Sequence, residues 1–287
     1  MMVLEVIQRS AEFLGKKGVD SPRLQAELLL AHVVKLPRMQ LYLNFQRELA
    51  PAEVESMREL VRRRGLREPL QQITGSTSFC GLELAVTREV LVPRPETELL
   101  AERAWLFLQA PAAESDRPAM VLDFGTGSGC LAITLAARCP QARIWALEVS
   151  PTALEVARRN TASHGLTERI RFFPGDGFGA LPEVVEFDLI VSNPPYIPSG
   201  ELAGLQPEVR DFEPRGALDG GADGLDYYRR LAVEAAPWLR SEGRLMLEFG
   251  DGQAERLREI FLAQKWIVEA VQEDYTHQPR IMALRRN

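Results

Sequence analysis

Met120-Val121-Leu122-Asp123-Phe124-Gly125-Thr126-Gly127-Ser128-Gly129 decides how this chain folds. Five residues with an apolar core, Met120–Phe124, suit a buried strand, and the alternating glycines that follow suit a tight turn. Helix-forming sequence resumes at Cys130. A second stretch has the same construction: Phe187–Val191 reads as a strand that ends in Asn193-Pro194-Pro195-Tyr196. In an open parallel sheet ligands bind beyond the carboxyl ends of the strands, so two such strands in one sheet would turn both loops toward one crevice.

Outward from Met120 the chain alternates. Strands are predicted at Arg143–Leu147, Ile170–Phe173, Arg244–Phe249, Trp266–Glu273 and Arg280–Leu284. Helices are predicted at Cys130–Arg138, from Pro151 to Ser163, Leu225–Leu239 and Gln253–Gln264. Ser150-Pro151 is an N-cap followed by a first-turn proline, and Ser21-Pro22 repeats it. Such alternation predicts an α/β fold, a mostly parallel seven-stranded sheet covered on both faces. The connection 194–224 is long and rich in glycine and proline, as functional loops often are. It is expected to pack beside Asn193 and shape a pocket. Pro111–Pro118 reads as a polar loop.

The chain in front of this domain is different. Apolar residues recur at helical spacing over residues 1–75, predicting a small all-helical bundle. This region carries twelve Lys/Arg against nine Asp/Glu, although the whole chain has a formal net charge of -6. Arg62-Arg63-Arg64 closes the helix that starts at Pro51, where it suits the helix dipole and solvent, or a docking surface. Phe79–Val92 is expected to form a hairpin or ribbon. Pro93-Arg94-Pro95-Glu96-Thr97-Glu98 then reads as a stiff turn before a helix at Thr97–Leu108, placed to cover the crevice. The expected domains are 1–75, a connector 76–95, and 96–287.

The negative net charge argues against affinity that comes from neutralising many phosphates. Cys80, Cys130 and Cys139, and His32, His164 and His277, have no metal-ligand spacing, so no metal is expected. No apolar run approaches a membrane span and the N-terminus lacks a signal-peptide pattern, so a cytoplasmic protein is expected.

Gly125, Gly127 and Gly129 leave room for main chain to approach a ligand, and the helix terminus behind them suits a carboxylate. Asp123 ends one strand and suits an ammonium group. Glu148 ends the next and can accept two ribose hydroxyls. The spacing is not that of a dinucleotide fingerprint, and the lysine of a phosphate-binding loop is missing. These features point to S-adenosylmethionine. Asp176 and Gly177, after the third strand, lie where an adenine could be bound, with Phe178 as a possible ring contact.

In Asn193-Pro194-Pro195-Tyr196 the prolines fix two φ angles and remove two donors, so carbonyls can face a pocket alone. With the Asn193 side-chain oxygen they supply the two acceptors that a planar –NH₂ needs. Tyr196 offers a flat face.

At these residues the chain resembles the S-adenosylmethionine-dependent methyltransferases that modify a glutamine side-chain amide in peptide-chain release factors. Further matches are Pro69–Gly75, Phe79-Cys80-Gly81-Leu82, Val92–Glu98, Glu213-Pro214, Gly220-Gly221, Asp223-Gly224-Leu225, Glu248–Gln253 and Asp274–Arg280. The resemblance covers nearly the whole chain. It implies a Rossmann-like methyltransferase domain behind the helical bundle and a β-hairpin connector. Gly125, Thr126, Gly127, Ser128 and Gly129 would hold the donor's methionine part together with Asp123. Glu148 would take its ribose, Asp176 and Gly177 its adenine, and S-adenosylhomocysteine would be the product. Asn193, Pro194, Pro195 and Tyr196 would bind the target glutamine, with Asn193 also beside the donor. Arg94, Pro95, Glu96 and Thr97 would close the pocket. The bundle would contact the release factor, whose glutamine lies in a Gly-Gly-Gln loop. Gln72, Cys80 and Glu148 depart from residues frequent in the family, and none removes a group that the chemistry requires.

Two other functions share parts of this pattern. An amino-methyltransferase of adenine or cytosine, or of a ribosomal protein, would use the same loops, but the chain has no strongly basic arm for sequence-specific nucleic-acid binding. A non-catalytic binding module would need neither loop so complete.

Overall fold

The computed structural model of the chain describes residues 1–110, 117–182 and 185–287. Most of the polar loop expected at Pro111–Pro118 therefore lies outside the described residues. Two compact units are present: Met1–Ser76 with Leu205–Phe212, and Thr77–Gly204 with Glu213–Asn287.

The first unit contains α1 (Val3–Lys16), α2 (Pro22–Val34), α3 (Arg38–Leu43), α4 (Pro51–Gly65) and α5 (Leu70–Thr74). Val3, Ile7 and Leu14 of α1 meet Leu29 and Leu30 of α2 and Met57 of α4 in one buried cluster. Each such side chain contributes roughly 1.5–3 kcal/mol by leaving water. The proline of α2 starts the helix as expected, but Ser21 does not cap it. Its backbone is left-handed (φ 47°) and its hydroxyl accepts no capping bond, whereas a capping side chain works from an extended backbone.

The three arginines ending α4 have different fates. Arg62 pairs with Glu59 and Arg63 with Glu68. Arg64 is neither solvated nor a docking group: it is 3% exposed and meets Gln25 and Glu208. Glu208 lies on the helical turn Pro207–Arg210, in the middle of the long loop, and also takes two bonds from Arg67. Burial pushes the Glu208 carboxyl up, and the two guanidiniums outweigh it, holding it below the ordinary range. Residues 205–212 therefore belong with the helical bundle, not beside Asn193 as expected of the whole loop.

In the second unit, β1 (Ser76–Phe79) and β2 (Leu82–Ala85) form a hairpin shorter than the ribbon expected through Val92. Beyond it Val86, Val90 and Val92 are buried against Ala153 and Val156. Helix α6 (Pro95–Gln109) begins at Pro95 itself, because a proline is well tolerated at the first helical position. Then come β3 (Met120–Phe124), α7 (Cys130–Arg138), β4 (Arg143–Glu148), α8 (Pro151–Ser163), β5 (Ile170–Pro174), β6 (Phe187–Ser192), α9 (Asp226–Glu234), β7 (Leu239–Glu248), α10 (Ala254–Ala263), β8 (Trp266–Glu273) and β9 (Pro279–Arg286). Helix α9 ends before the expected Leu239. Pro237 sits in a separate turn, Ala236–Trp238, and cannot continue an α-helix. At α8 the expected cap is present: Ser150 Oγ accepts from Ala153 N at 3.3 Å.

Among the described residues, seven strands form one sheet in the order β5-β4-β3-β6-β7-β9-β8. The pairs from β5 to β7 are parallel, and those of β9 with β7 and β8 are antiparallel. Alternation on β3 and β6 divides the core. Val121, Leu189 and Val191 face Leu100 and Ala104 of α6 and Leu131 of α7, while Leu122 and Ile190 face Tyr228 of α9 and Leu257 of α10. The chain leaves β3 toward β4 and later returns to β6 on its other side. The crevice beyond this switch point is where an open α/β sheet takes its ligands.

Candidate active site

The two loops emerge side by side. β3 and β6 are paired with Asp123 opposite Val191, and the buried Ser192 hydroxyl donates to Phe124 O at 2.7 Å. Gly125–Gly129 and Asn193–Tyr196 therefore start from one edge of the sheet, one strand spacing apart.

The glycine loop is held from below. Gly125 N and Thr126 N donate to Leu147 O. Gly125, Gly127 and Gly129 all have positive φ, and an added Cβ at Gly125 or Gly127 would enter open space. Gly129 differs, because its Cβ would press on Ile133 and Ala157; its bareness lets α7 and α8 approach. Glu148, 8% exposed, ties the loop to the next strand, with Oε2 accepting from Gly127 N at 2.8 Å and Oε1 from Ser150 N at 2.9 Å. Each oxygen keeps a lone pair for a further donor.

Asp123 is 1% exposed. Its Oδ2 accepts from Thr126 Oγ1 at 2.6 Å and Ala132 N at 3.1 Å, and Oδ1 has no partner. Burial pushes this carboxyl up to about 7 against those two bonds. Thr126 and Ser128 are themselves buried, with the Thr126 hydroxyl turned to Asp123 and the Ser128 carbonyl taking Asn160 Nδ2. They face a ligand with main chain only. A cation-accepting orphan oxygen, open glycine main chain and a strand-end carboxylate fit S-adenosylmethionine.

At the third strand end Asp176 is exposed and ion-paired with Arg230 of α9, whose guanidinium also lies where a Gly177 Cβ would be. Phe178 is 3% exposed, with its ring centroid 5.1 Å from that of Phe124 and 5.4 Å from that of Trp238. The ring contact expected of it is taken by the core, because a large ring gains more from packed neighbours on several sides than from a crevice wall.

Asn193 is half-buried and Pro194 buried. Asn193 Nδ2 donates to Thr97 Oγ1 at 3.0 Å, and Thr97 is a buried residue in the first turn of α6. Burial, the largest influence, raises the neighbouring Glu248 carboxyl to about 7, against Thr97 and Arg280. Arg94 donates to Glu213 at 2.6 Å, which anchors the start of α6 to the residue following the long loop's excursion. Burial raises the Glu213 carboxyl, while Arg94 and the Val92 amide draw it down. Pro95 and Glu96 stand at the head of α6, where Pro95 is exposed and Glu96 half-buried. Burial, then the charge of Glu248, raises the Tyr196 phenol to about 12, so it stays neutral.

Several supporting residues were not legible in advance. An added Cβ at Gly220 would lie 2.8 Å from Pro195 O, at Gly224 2.3 Å from Tyr196 O, and at Gly250 2.9 Å from the Tyr196 ring. Gln253 Nε2 donates to Tyr196 O at 2.9 Å. Nothing in the local sequence pairs these glycines with a loop so much earlier in the chain.

A second cleft of about 980 Å³ opens at the other end of the strands, among Arg117, Arg143, Trp145, Arg169 and Arg171. It lies at the amino ends of β3, β4 and β5, away from both loops, and is not the candidate site. Among the described residues no His/Cys/Asp/Glu group could hold a metal ion, and no helix is long and apolar enough to cross a membrane.

Fold and site together define a Rossmann-like methyltransferase. Two family models match: the PrmC N-terminal domain over residues 5–75 and the methyltransferase small domain over residues 104–203. The chain is similar to the release factor glutamine methyltransferase of Geobacter sulfurreducens, 47% identical over 90% of this chain and 88% of that one. It is 48% identical to that of Chlorobaculum tepidum, over 88% of this chain and 87% of the relative. A methyltransferase structure from Pyrococcus furiosus shares the fold at TM-score 0.51, 19% identity, covering 73% of this chain and 91% of that one. The chain belongs to the release factor glutamine methyltransferase family.

Proposed function

We propose that the two loops divide one reaction, methyl transfer to the side-chain amide nitrogen of a release-factor glutamine. The protein is an S-adenosylmethionine-dependent protein-glutamine N-methyltransferase, as its family membership establishes. When bound, S-adenosylmethionine supplies an electrophilic methyl group on a sulfonium.

On this reading Asp123 meets the donor's ammonium group, the main chain of Gly125–Gly129 its carboxylate, Glu148 the ribose hydroxyls, and Asp176–Gly177 the adenine. The Asp123 side chain supports this: a buried oxygen without a partner and a pKa of about 7 suit a site completed by a cation. Asn193 Oδ1 and the Pro194 carbonyl accept the two N–H bonds of the target amide. They fix its plane and stabilise the positive charge that grows on nitrogen. Tyr196, neutral at every physiological pH, packs on the amide face. Holding the acceptor at about 3–3.5 Å removes much of the entropic barrier. No strong base is required, because the methylated cationic amide is acidic and its proton goes to water.

The partner is a release factor presenting its Gly-Gly-Gln loop, and the helical unit recognises it. That unit exposes Met39 (67%), Leu43 (86%) and Leu66 (62%), apolar side chains that a protein partner would cover. The place of action is the cytoplasm, where translation terminates. The observation that carries the proposal is the pairing of β3 with β6, which sets both loops on one edge. A methyl-transfer assay offering release factor, DNA and RNA tests it: label is expected on release factor, and label on RNA alone would overturn it. Asn193→Ala is expected to lower turnover strongly while donor binding, measured calorimetrically, survives.

A further inference from the structure

We infer that Gln253 is a positioning residue for methyl transfer: its side-chain amide holds the Tyr196 carbonyl and thereby sets the Tyr196 ring against the target amide. The inference rests on the role of Tyr196 proposed above.

The loop Asn193–Tyr196 needs a hold from outside. Pro194 and Pro195 have fixed φ, but the direction of a carbonyl is set by ψ, which a proline ring leaves open, and neither residue has an N–H with which to pin itself. In front, the loop is pinned by the Ser192 hydroxyl, which donates to Phe124 O at 2.7 Å. Behind it, Ile197 N donates to Leu218 O at 3.0 Å and Gly220 N to Ile197 O at 2.8 Å. Tyr196 comes between these anchors in the chain, and its own carbonyl is taken by Gln253 Nε2 at 2.9 Å. The same nitrogen reaches Gly224 O at 3.4 Å.

Gln253 directly precedes α10, and its side chain does not cap that helix. It turns back instead. Its Oε1 accepts from Gly250 N at 2.9 Å, while Gln253 N donates to Gly250 O at 3.3 Å. The amide then has one orientation only. The Gly250 N–H can only donate, and Tyr196 O and Gly224 O can only accept, so a turned-over amide would set N–H against N–H and oxygen against oxygen. The hold is thus fixed by three main-chain groups whose polarity never changes. Two glycines make room for it. A Cβ at Gly224 would lie 2.8 Å from Gln253 Nε2, and one at Gly250 would lie 3.0 Å from Gln253 Oε1 and 2.9 Å from the Tyr196 ring. Gly250 borders both the amide and the ring, so the hydrogen bond and the ring position are set together.

The test uses the full chain, S-adenosylmethionine and a release factor, with kcat, release-factor KM, and calorimetric donor Kd and stoichiometry for each variant. The stoichiometry counts folded sites, so kcat is expressed per donor-binding molecule. Gln253→Glu keeps the size and the acceptor for Gly250 N but sets a carboxylate oxygen against Tyr196 O. It is expected to lower kcat roughly tenfold, the worth of one hydrogen bond, with donor Kd unchanged. Gln253→Met, similar in length and uncharged, should lose about as much, which traces the effect to the missing donor and not to an added charge. In a Tyr196→Ala background the further loss from Gln253→Glu should shrink below about twofold, because the two residues act as one unit. Wild-type kcat per site in either Gln253 variant, or the full loss repeated in the Tyr196→Ala background, would overturn the inference. A fall in stoichiometry alone would overturn it too, since that marks a role in folding only. Tyr196→Ala by itself separates the two layers. If it turns over normally, the role of Tyr196 falls and the inference with it; if it is impaired while Gln253→Glu is not, the inference alone is wrong.

Discussion

Gly127 N donates to Glu148 Oε2 at 2.8 Å, so the carboxylate at the end of β4 fixes the shape of the neighbouring glycine loop. The same carboxylate takes Ser150 N through its other oxygen. One side chain thus holds the ends of β4 and the loop after β3 in register. Glu148→Gln has one acceptor oxygen for these two amides, leaving one of them unsatisfied. Donor Kd is expected to weaken roughly 10–100-fold, with kcat at saturating donor little changed. Isothermal titration measures it, and an unchanged Kd would remove Glu148 from the donor site.

Glu248 makes stability depend on pH. Burial, the largest influence, raises its carboxyl from 4.5 to about 7, against Thr97 and Arg280. A carboxyl raised on folding favours the folded state fully below its unfolded value. That contribution is lost as pH rises from 4.5 through about 7. Glu248→Gln, neutral throughout, should therefore gain on wild type between about pH 4 and pH 8 by roughly 3 kcal/mol, or several degrees in Tm. Asp123, raised in the same direction, leaves residual pH dependence in the variant. Melting curves of both proteins at the two pH values decide the matter; a constant Tm difference would mean that Glu248 is not held neutral.

Glu208 neutralises two arginines of the helical unit, one of them only 3% exposed. Removing it by Glu208→Ala leaves the buried Arg64 charge uncompensated, at a cost of roughly 3–5 kcal/mol. Arg64→Met in the same chain should recover much of that loss. Denaturant unfolding followed by proteolytic susceptibility of residues 1–75 would show both effects. Equal stability of the single and double variants would contradict the charge explanation.

Gly224 has φ +77°, and a Cβ there would lie 2.3 Å from Tyr196 O. Gly224→Ala must push the Tyr196 backbone aside and break the bond from Gln253. Turnover is expected to fall roughly 10–100-fold with donor Kd unaffected, since a displacement of about 1 Å at a reacting centre has that effect. Parallel rate and titration measurements check it, and normal kinetics would show that the loop tolerates the shift.

The glycine loop and the Asn193–Tyr196 loop were legible because each is written in consecutive residues. Met120–Phe124 and Phe187–Ser192 are short apolar strands, and the glycines and prolines behind them restrict the backbone locally. Thr97 was visible as part of a proline-bounded turn, but its partner Asn193 was not, since it comes from 96 residues away. Arg64 looked like the solvated end of a helix until Glu208, 144 residues later, proved to be its counter-charge. Phe178 follows Asp176 and Gly177 in sequence, and packing turned it inward against Phe124.

By itself the sequence determined the class of fold, the order of its strands along the chain and the two chemical loops, because hydrophobic period and backbone restriction act over a few residues. The tertiary structure alone decided which side chains those loops lean on. A buried carboxylate, hydroxyl or guanidinium must find its partner wherever the fold brings one, and that choice is made by burial in three dimensions, without regard to distance along the chain.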